Sequence, residues 1–408
     1  MFRIITFAVG IGLALLALSA CGQQELISVQ SPSPSTISPN GDGADDTLTI
    51  SYTIGAPARV SVYLQDQAGT RYDLRKDVER IPSDDPYSLR FDGTVPGVTP
   101  DILQQVLKDG QYTWTVEATP VAGGAPKSFS GTIEVRDAAS ALPSIEDLNV
   151  TQQFSPNEDA DEDVAYFNYR LPMTATVSIN LTGPNGAQIP FISDLEEGPY
   201  AQSHIWNGKQ PDGALVGSGV YTYTITARDT IGNVVQRSGP ISVENPGRSE
   251  ARITFVQIAP VEVALDNVIT LTIRVKNTGD VPIKTHGPAS GFRYTTEQTY
   301  ATVENGQWTE KGGGPWRIGL DWGGGRAYPF RWAMSPRPVD QWAEPGQFDY
   351  LMPGEEVDVV GSVQIKQRED TMPFFAGLVH EGVGYPENNK GRTIVCVGIP
   401  GVESQCPR

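Results

Sequence analysis

Two loops carry oxygen ligands at close, regular spacing. In Ile37-Ser-Pro-Asn-Gly-Asp-Gly-Ala-Asp-Asp46, Asn40, Asp42 and Asp46 lie at alternate positions two and four residues apart, with Asp45 adjacent. In Phe154-Ser-Pro-Asn-Glu-Asp-Ala-Asp-Glu-Asp163, Asn157, Asp159, Asp161 and Asp163 alternate, flanked by Glu158 and Glu162. Calcium takes 6–8 oxygen ligands, so a structural calcium ion is one expectation for each loop. Gly41 and Gly43 permit a sharp turn in the first loop; the second lacks both. Neither ends in the Glu at position 12 of an EF-hand loop. The same residues also make Asx turns that open a strand, and that reading stands beside the metal.

A second constellation is aromatic. Trp308, Trp316, Trp322, Trp332 and Trp342 fall within 35 residues, interleaved with Arg317, Arg326, Arg331 and Arg337. Exposed rings beside arginine suit a glycan or protein surface, and buried ones make a small core with Arg stacked on Trp. Both readings stay open, with Arg317 and Arg331 as candidate ligand contacts. The alternation in Pro329-Phe-Arg-Trp-Ala333 predicts a strand, which must bury some of these rings.

Catalytic chemistry finds little support, and the chain is expected to be non-enzymatic. His204, His286 and His380 have no metal spacing, and His380-Glu381 lacks the second His of H-E-x-x-H. Ser290 is outside any G-x-S-x-G elbow. Asp321 and Asp349 are the one carboxylate pair that would suit a glycosidase. Cys396 and Cys406 are left for a disulfide near the C-terminus.

The elements that position these residues are strands. Gly and Pro are frequent (43 and 32 of 408 residues), and short alternating runs separate turn residues, which predicts an all-β chain. The two acidic loops are one motif repeated at a constant offset of 117. Tyr52 matches Tyr169, Leu64 matches Leu181, and Gly69 matches Gly186. Ser88-Leu-Arg-Phe-Asp-Gly93 matches Ser203-His-Ile-Trp-Asn-Gly208, and Asp109–Val116 matches Ser218–Ile225. These motifs together resemble the Ig-like domain of flagellar hook-capping (FlgD-type) proteins, found in tandem on bacterial surface proteins. The resemblance implies two Ig-like sandwiches, at 37–137 and 146–245, and no hook-capping role. It also implies that Tyr112 and Tyr221 are corner tyrosines bonded to backbone. Phe91 and Trp206 occupy matching positions and read as core aromatics in preference to ligand platforms. Between Gly93 and Gly110 the first repeat is longer than the second, and Pro100–Leu107 fits one or two helical turns there.

Residues 1–21 read as a lipoprotein signal peptide: Arg3, an apolar run, then Leu18-Ser-Ala-Cys21. This resembles a bacterial lipobox, which implies lipidation of Cys21 and an extracytoplasmic, membrane-anchored protein. Residues 22–36 read as a polar tether. From 250 to 408 a different β-rich domain is expected, with a long aromatic insert. Ile269–Asp280 and Pro353–Ile365 weakly resemble CARDB-like adhesion Ig-like domains.

The formal net charge is −18, concentrated in the repeats: residues 22–247 hold 29 acids against 13 bases. Such a surface repels phosphate backbones, so nucleic acid is not an expected partner. The expected function is an anchored lipoprotein whose Ig-like spacers carry a C-terminal binding domain for an envelope glycan or surface protein. The alternatives are a purely structural or accessory subunit of a surface complex and, less favoured, a carbohydrate-active enzyme.

Overall fold

A computed structural model describes residues 25–309, 313–323, 328–367 and 369–398. Among these the chain is all-β: two Ig-like sandwiches and a third sandwich-like domain. Cys21 and Cys406 lie outside the described residues, and so do the signal peptide and Arg326.

The chain divides into two compact units. The first comprises residues up to Leu142 together with Asp229–Val235. A three-stranded sheet runs in the order Ile27–Ser33, Leu48–Ile54, Tyr87–Phe91. It faces a five-stranded sheet in the order Thr36–Ile37, Lys127–Val135, Gly110–Pro120, Ala58–Gln65, Arg71–Arg80. Leu48, Ile50, Tyr52 and Ile54 are buried at every second position, as the period of a half-buried strand requires. They pack on Val60, Val62, Leu64, Trp114 and Val116 from the other sheet.

Two expectations are corrected here. Residues 22–36 are not wholly a tether: Ile27–Ser33 pairs antiparallel with Leu48–Ile54, because Ile27 has a core site to fill. Residues 100–107 are not helical: Ile102–Val106 is a strand that pairs with Thr94–Pro96 and with Val234 and Val235. Asn233 closes this arrangement. Fully buried, it accepts a hydrogen bond from the Val106 amide (2.7 Å) and donates to the Ala139 carbonyl (3.1 Å) and to Asp229 (2.7 Å).

The second unit holds the second repeat and the C-terminal domain. The repeat reproduces the first strand for strand. Glu146–Val150, Ala165–Arg170 and Ala201–Trp206 form one sheet; Gln153–Phe154, Val234–Val243, Gly219–Arg228, Ala175–Thr182 and Gln188–Glu197 lie in the other. The corner tyrosines match in detail: Tyr112 Oη donates to the Lys108 carbonyl and Tyr221 Oη to that of Gly217, both at 2.9 Å and four residues upstream. Phe91 and Trp206 are both buried.

In the C-terminal domain, Val268–Asn277 and Glu356–Gln364 are the two strands anticipated there, and they pair antiparallel over nine positions. Ala251–Ala259 and Arg293–Thr295 complete that sheet. Opposite it, Trp316–Asp321 is flanked by Thr371–His380, Ile283–Thr285 and Phe330–Ala333. All six residues of Trp316–Asp321 are buried, so this strand is covered on both faces.

Candidate ligand-binding cleft

The acidic loops fold identically. The Asp46 carboxylate accepts the amides of Asn40 (3.1 Å), Gly41 (2.9 Å) and Gly43 (2.8 Å). Asp163 accepts those of Asn157 (3.0 Å), Glu158 (2.7 Å) and Ala160 (2.7 Å). Asn40 and Asp42 each accept the amide two residues on, as do Asn157 and Asp159. The backbone alternates into the left-handed region at Gly41, Gly43 and Asp45, and again at Glu158, Ala160 and Glu162. Alternating handedness turns successive N–H groups toward one point, a nest that binds anions, and the chain fills it with its own carboxylate. The Gly41 and Gly43 amides hold the Asp46 carboxyl below its usual range. These oxygens are therefore engaged by backbone amides, and among the described residues no three or more His, Cys, Asp or Glu side chains converge as a metal site.

The second loop has a further role, because the C-terminal domain packs on it. A Cβ on Gly313 would stand 2.6 Å from the Ala160 carbonyl, and one on Gly314 3.1 Å from that of Asp159. The Gly247 amide donates to the Pro156 carbonyl and the Ser249 amide to that of Asn157. Burial pushes the Asp159 carboxyl up, against the Asp161 amide that donates to it.

The tryptophan surface is corrected. Trp308, Trp316, Trp332 and Trp342 are buried, and Trp322 is half-buried and stacked on Phe330. They are part of the core of the domain, packed with Tyr294, Phe330, Phe374 and the aliphatic side chains of both sheets. Trp332 lies over Gly361, where a Cβ would approach its ring to 2.5 Å, and its Nε1 donates to the Phe292 carbonyl. Trp316 donates to Ser249 Oγ and stacks on His380. Arg317 and Arg331 are buried too, both paired with the Glu381 carboxylate and both facing the Tyr300 ring. Of these six buried side chains, Trp308 also lines a cleft.

Asp321 and Asp349 are not brought together. Thr285 pairs with both Trp316 and Asp349, which sets Asp349 beside one end of the strand that Asp321 ends. Five residues of strand separate the two by about 16 Å, well beyond the roughly 5–9.5 Å of a glycosidase pair. Asp349 is engaged by Arg337 (2.9 Å) and Ser335, and Asp321 by the amides of Trp322 and Tyr328. Cys396 lies two residues before the end of a long strand, Gly384–Gly398, where it pairs with Glu262.

What the second unit does form is a cleft of about 520 Å³ beside the second acidic loop. Asp161 and Gly313 line it together with Lys284, His286 and Phe348, and Gln307, Trp308 and Gln347 complete the lining. Lys284 and His286 are two residues apart on either side of the buried Thr285, so they share a face. Lys284 Nζ sits 4.9 Å over the Phe348 ring, and the His286 ring packs on Trp308 at 5.1 Å. His286 Nδ1 is 3.3 Å from Arg317 Nη2. Burial, then Arg317 and Lys284, push His286 down to about 4. A volume within the 300–1,000 Å³ of small-ligand sites, with aromatic walls and a few polar groups, suits noncovalent binding. Sequence reasoning named Trp308 as a ligand contact and Asp161 as a metal ligand, set His286 aside for want of metal spacing, and did not single out Lys284, Gln307, Gln347 or Phe348. The polar residues alternating around Thr285 were the one available signal.

No protein-family model matches this sequence, and no curated protein matches it. Solved structures similar to the chain include native Escherichia coli alpha-2-macroglobulin, at 10% identity over 91% of this chain and 23% of that one, with a TM-score of 0.24. Others are the FN1–FN3 domains of chicken CNTN1 (9% identity, 91% and 98% coverage, TM-score 0.28) and a bacterial ice-binding adhesin (14%, 83% and 98%, TM-score 0.21). At such scores none of these alignments carries an argument about function.

Proposed function

We propose that this chain is an extracytoplasmic, lipid-anchored binding protein that captures an envelope glycan or a surface protein in the cleft beside its second acidic loop. The observation that carries this reading is the cleft itself: some 520 Å³, open, polar and aromatic, beside a domain whose tryptophans are otherwise packed into or against its core. Cys21 supplies the anchor by lipidation. The Ig-like modules, FlgD-type in the first two cases and CARDB-like in the third, stand in sequence between lipid and cleft or around the cleft. Cys396 and Cys406 form a disulfide that ties the C-terminus. The chain has no catalytic role in this reading.

Two experiments test it. Metabolic labelling with a fatty acid and membrane fractionation of the Cys21→Ala variant examine the anchor: loss of both label and membrane association is expected, and an unchanged fractionation refutes lipidation at Cys21. Retention of the chain from residue 22 onward on insoluble envelope and polysaccharide fractions examines the cleft. Gln307→Ala and Gln347→Ala, both at exposed positions, should weaken retention without changing thermal stability. Retention indifferent to these changes moves the binding surface elsewhere.

Structural calcium in the acidic loops is a separate proposal, and the amide-filled nests supply a competing account of the same residues. A rise in unfolding temperature with added calcium, abolished by chelator, favours the ion; an unmoved transition favours the nest.

A further inference from the structure

The cleft has a polarity that narrows its ligand, and this inference rests on the binding role proposed above. The decisive group is His286. Its Nδ1 faces Arg317 Nη2 at 3.3 Å, and a guanidinium has only donors. Nδ1 is therefore the acceptor, and the ring proton is on Nε2. Arg317 does not turn away: it is fully buried, bonded to the Trp308 carbonyl at 3.0 Å and paired with Glu381 at 3.2 Å. The ring plane is fixed from the side by Trp308, which in turn donates to Glu304. His286 is thus a neutral ring with a locked N–H donor, and Nε2 has no hydrogen-bond partner among the described residues.

Lys284 lies two residues earlier on the same face, its Cα about 7 Å from that of His286 along the chain, and brings a cation to the same cleft. Asp161 lines the same cleft, is exposed and offers acceptors only. The amides of Gln307 and Gln347 offer both donors and acceptors between them. An apolar ligand would strip water from Lys284 and Asp161 without replacing it. A compact polyanion such as phosphate would satisfy Lys284 and His286 but would face Asp161 unpaired. A neutral sugar would satisfy Asp161 and the amides and leave the Lys284 charge without a partner. A molecule that carries both a carboxylate and hydroxyl donors satisfies all of them.

We propose that the cleft binds an acidic sugar, a uronic-acid unit whose carboxylate meets Lys284 and the His286 Nε2–H while its hydroxyls donate to Asp161. His286 and Lys284 are the specificity residues, and Arg317 is a positioning residue that sets the His286 tautomer.

Calorimetric titration of the chain from residue 22 onward with a uronic-acid disaccharide, its neutral hexose counterpart and inorganic phosphate tests the assignment. The uronate should bind, with the neutral sugar and phosphate at least tenfold weaker. Lys284→Met should cost the uronate at least tenfold and leave the neutral sugar unchanged. His286→Gln, which keeps an N–H donor, should retain more affinity than His286→Phe. Thermal unfolding of each variant separates lost binding from lost folding. If the neutral sugar binds as well as the uronate, and Gln347→Ala weakens both, the cleft is a glycan site and the carboxylate assignment is overturned. If none of the three binds, the uronate assignment is overturned; retention on envelope fractions that still depends on Gln347 then leaves the cleft in place with another ligand, and retention indifferent to Gln347 removes both.

Discussion

At the scale of single residues, the two acidic loops show one backbone solved with two sets of side chains. The first uses Gly41 and Gly43 at its left-handed positions, where a missing Cβ removes the steric cost. The second places Glu158 at φ +64° and Ala160 at φ +66° in the same conformation. An L-residue there costs about 1–2 kcal/mol, offset in part by the greater unfolded-state entropy of glycine. Ala160 has a compensation, since its methyl stands near Gly382. Glu158 is exposed and gains only a long ion pair with Lys209 at 3.7 Å. Glu158→Gly should therefore stabilise the second unit by roughly 0.5–1 kcal/mol in a denaturant titration; a loss of stability would mean that the Glu158 side chain has a partner worth more than the strain.

At the scale of elements, two contacts carry more than their size suggests. The strand Ile102–Val106 holds its place through Asn233, which satisfies the Val106 amide and the Ala139 carbonyl from a fully buried position. Truncation strands both backbone groups, at about 1–3 kcal/mol for an unsatisfied buried group. Asn233→Ala should lower the stability of the first unit by about 2 kcal/mol, measured by chemical denaturation, whereas an exposed loop decoration would tolerate it. The second contact is the seat of Ala160 against Gly313. Gly313→Val has no room beside the Ala160 carbonyl. Calorimetry should show the second repeat and the C-terminal domain melting together in the native chain and separately in this variant; a single unshifted transition in both would show that the seat contributes nothing to their coupling.

At the scale of the whole molecule, acidity and burial set the response to pH. His286 and His380 are both driven down to about 4, chiefly by burial. For His286, Arg317 and Lys284 add to that shift; for His380, Asp163 and Glu381 oppose it. Unfolded histidine titrates near 6.5. Between about 6.5 and 4 the unfolded chain binds the extra protons, so the histidine contribution is complete above about 6.5 and is lost as pH falls toward 4. Unfolding temperature should drop across this window, and a His286→Gln, His380→Gln double variant should flatten the drop. An equally steep drop in the double variant would assign it to other groups.

How far the sequence went differs between fold and site, for reasons visible in particular residues. The repeat at offset 117 fixed two copies of one sandwich, because the tyrosine corner and the Asp-capped loop are local devices written within a few residues. The alternation in Ile269–Val275 and Val357–Val363 likewise announced two strands of the third domain. The sequence could not say that 27–33 and 102–106 would be strands, since each owes its state to a partner supplied by distant chain: Leu48–Ile54 for one, Val234 and Val235 for the other. Nor could it choose between an aromatic surface and an aromatic core, because the same tryptophans serve either until two sheets close over them. The cleft was least legible of all. Asp161, Lys284, Gln307 and Gln347 are ordinary polar residues in four separate segments, and only packing brings them to one space. Composition and local motif determine most of the strands, and distant pairing adds the rest; the tertiary structure alone decides which side chains are consumed in holding them together and which remain to meet a ligand.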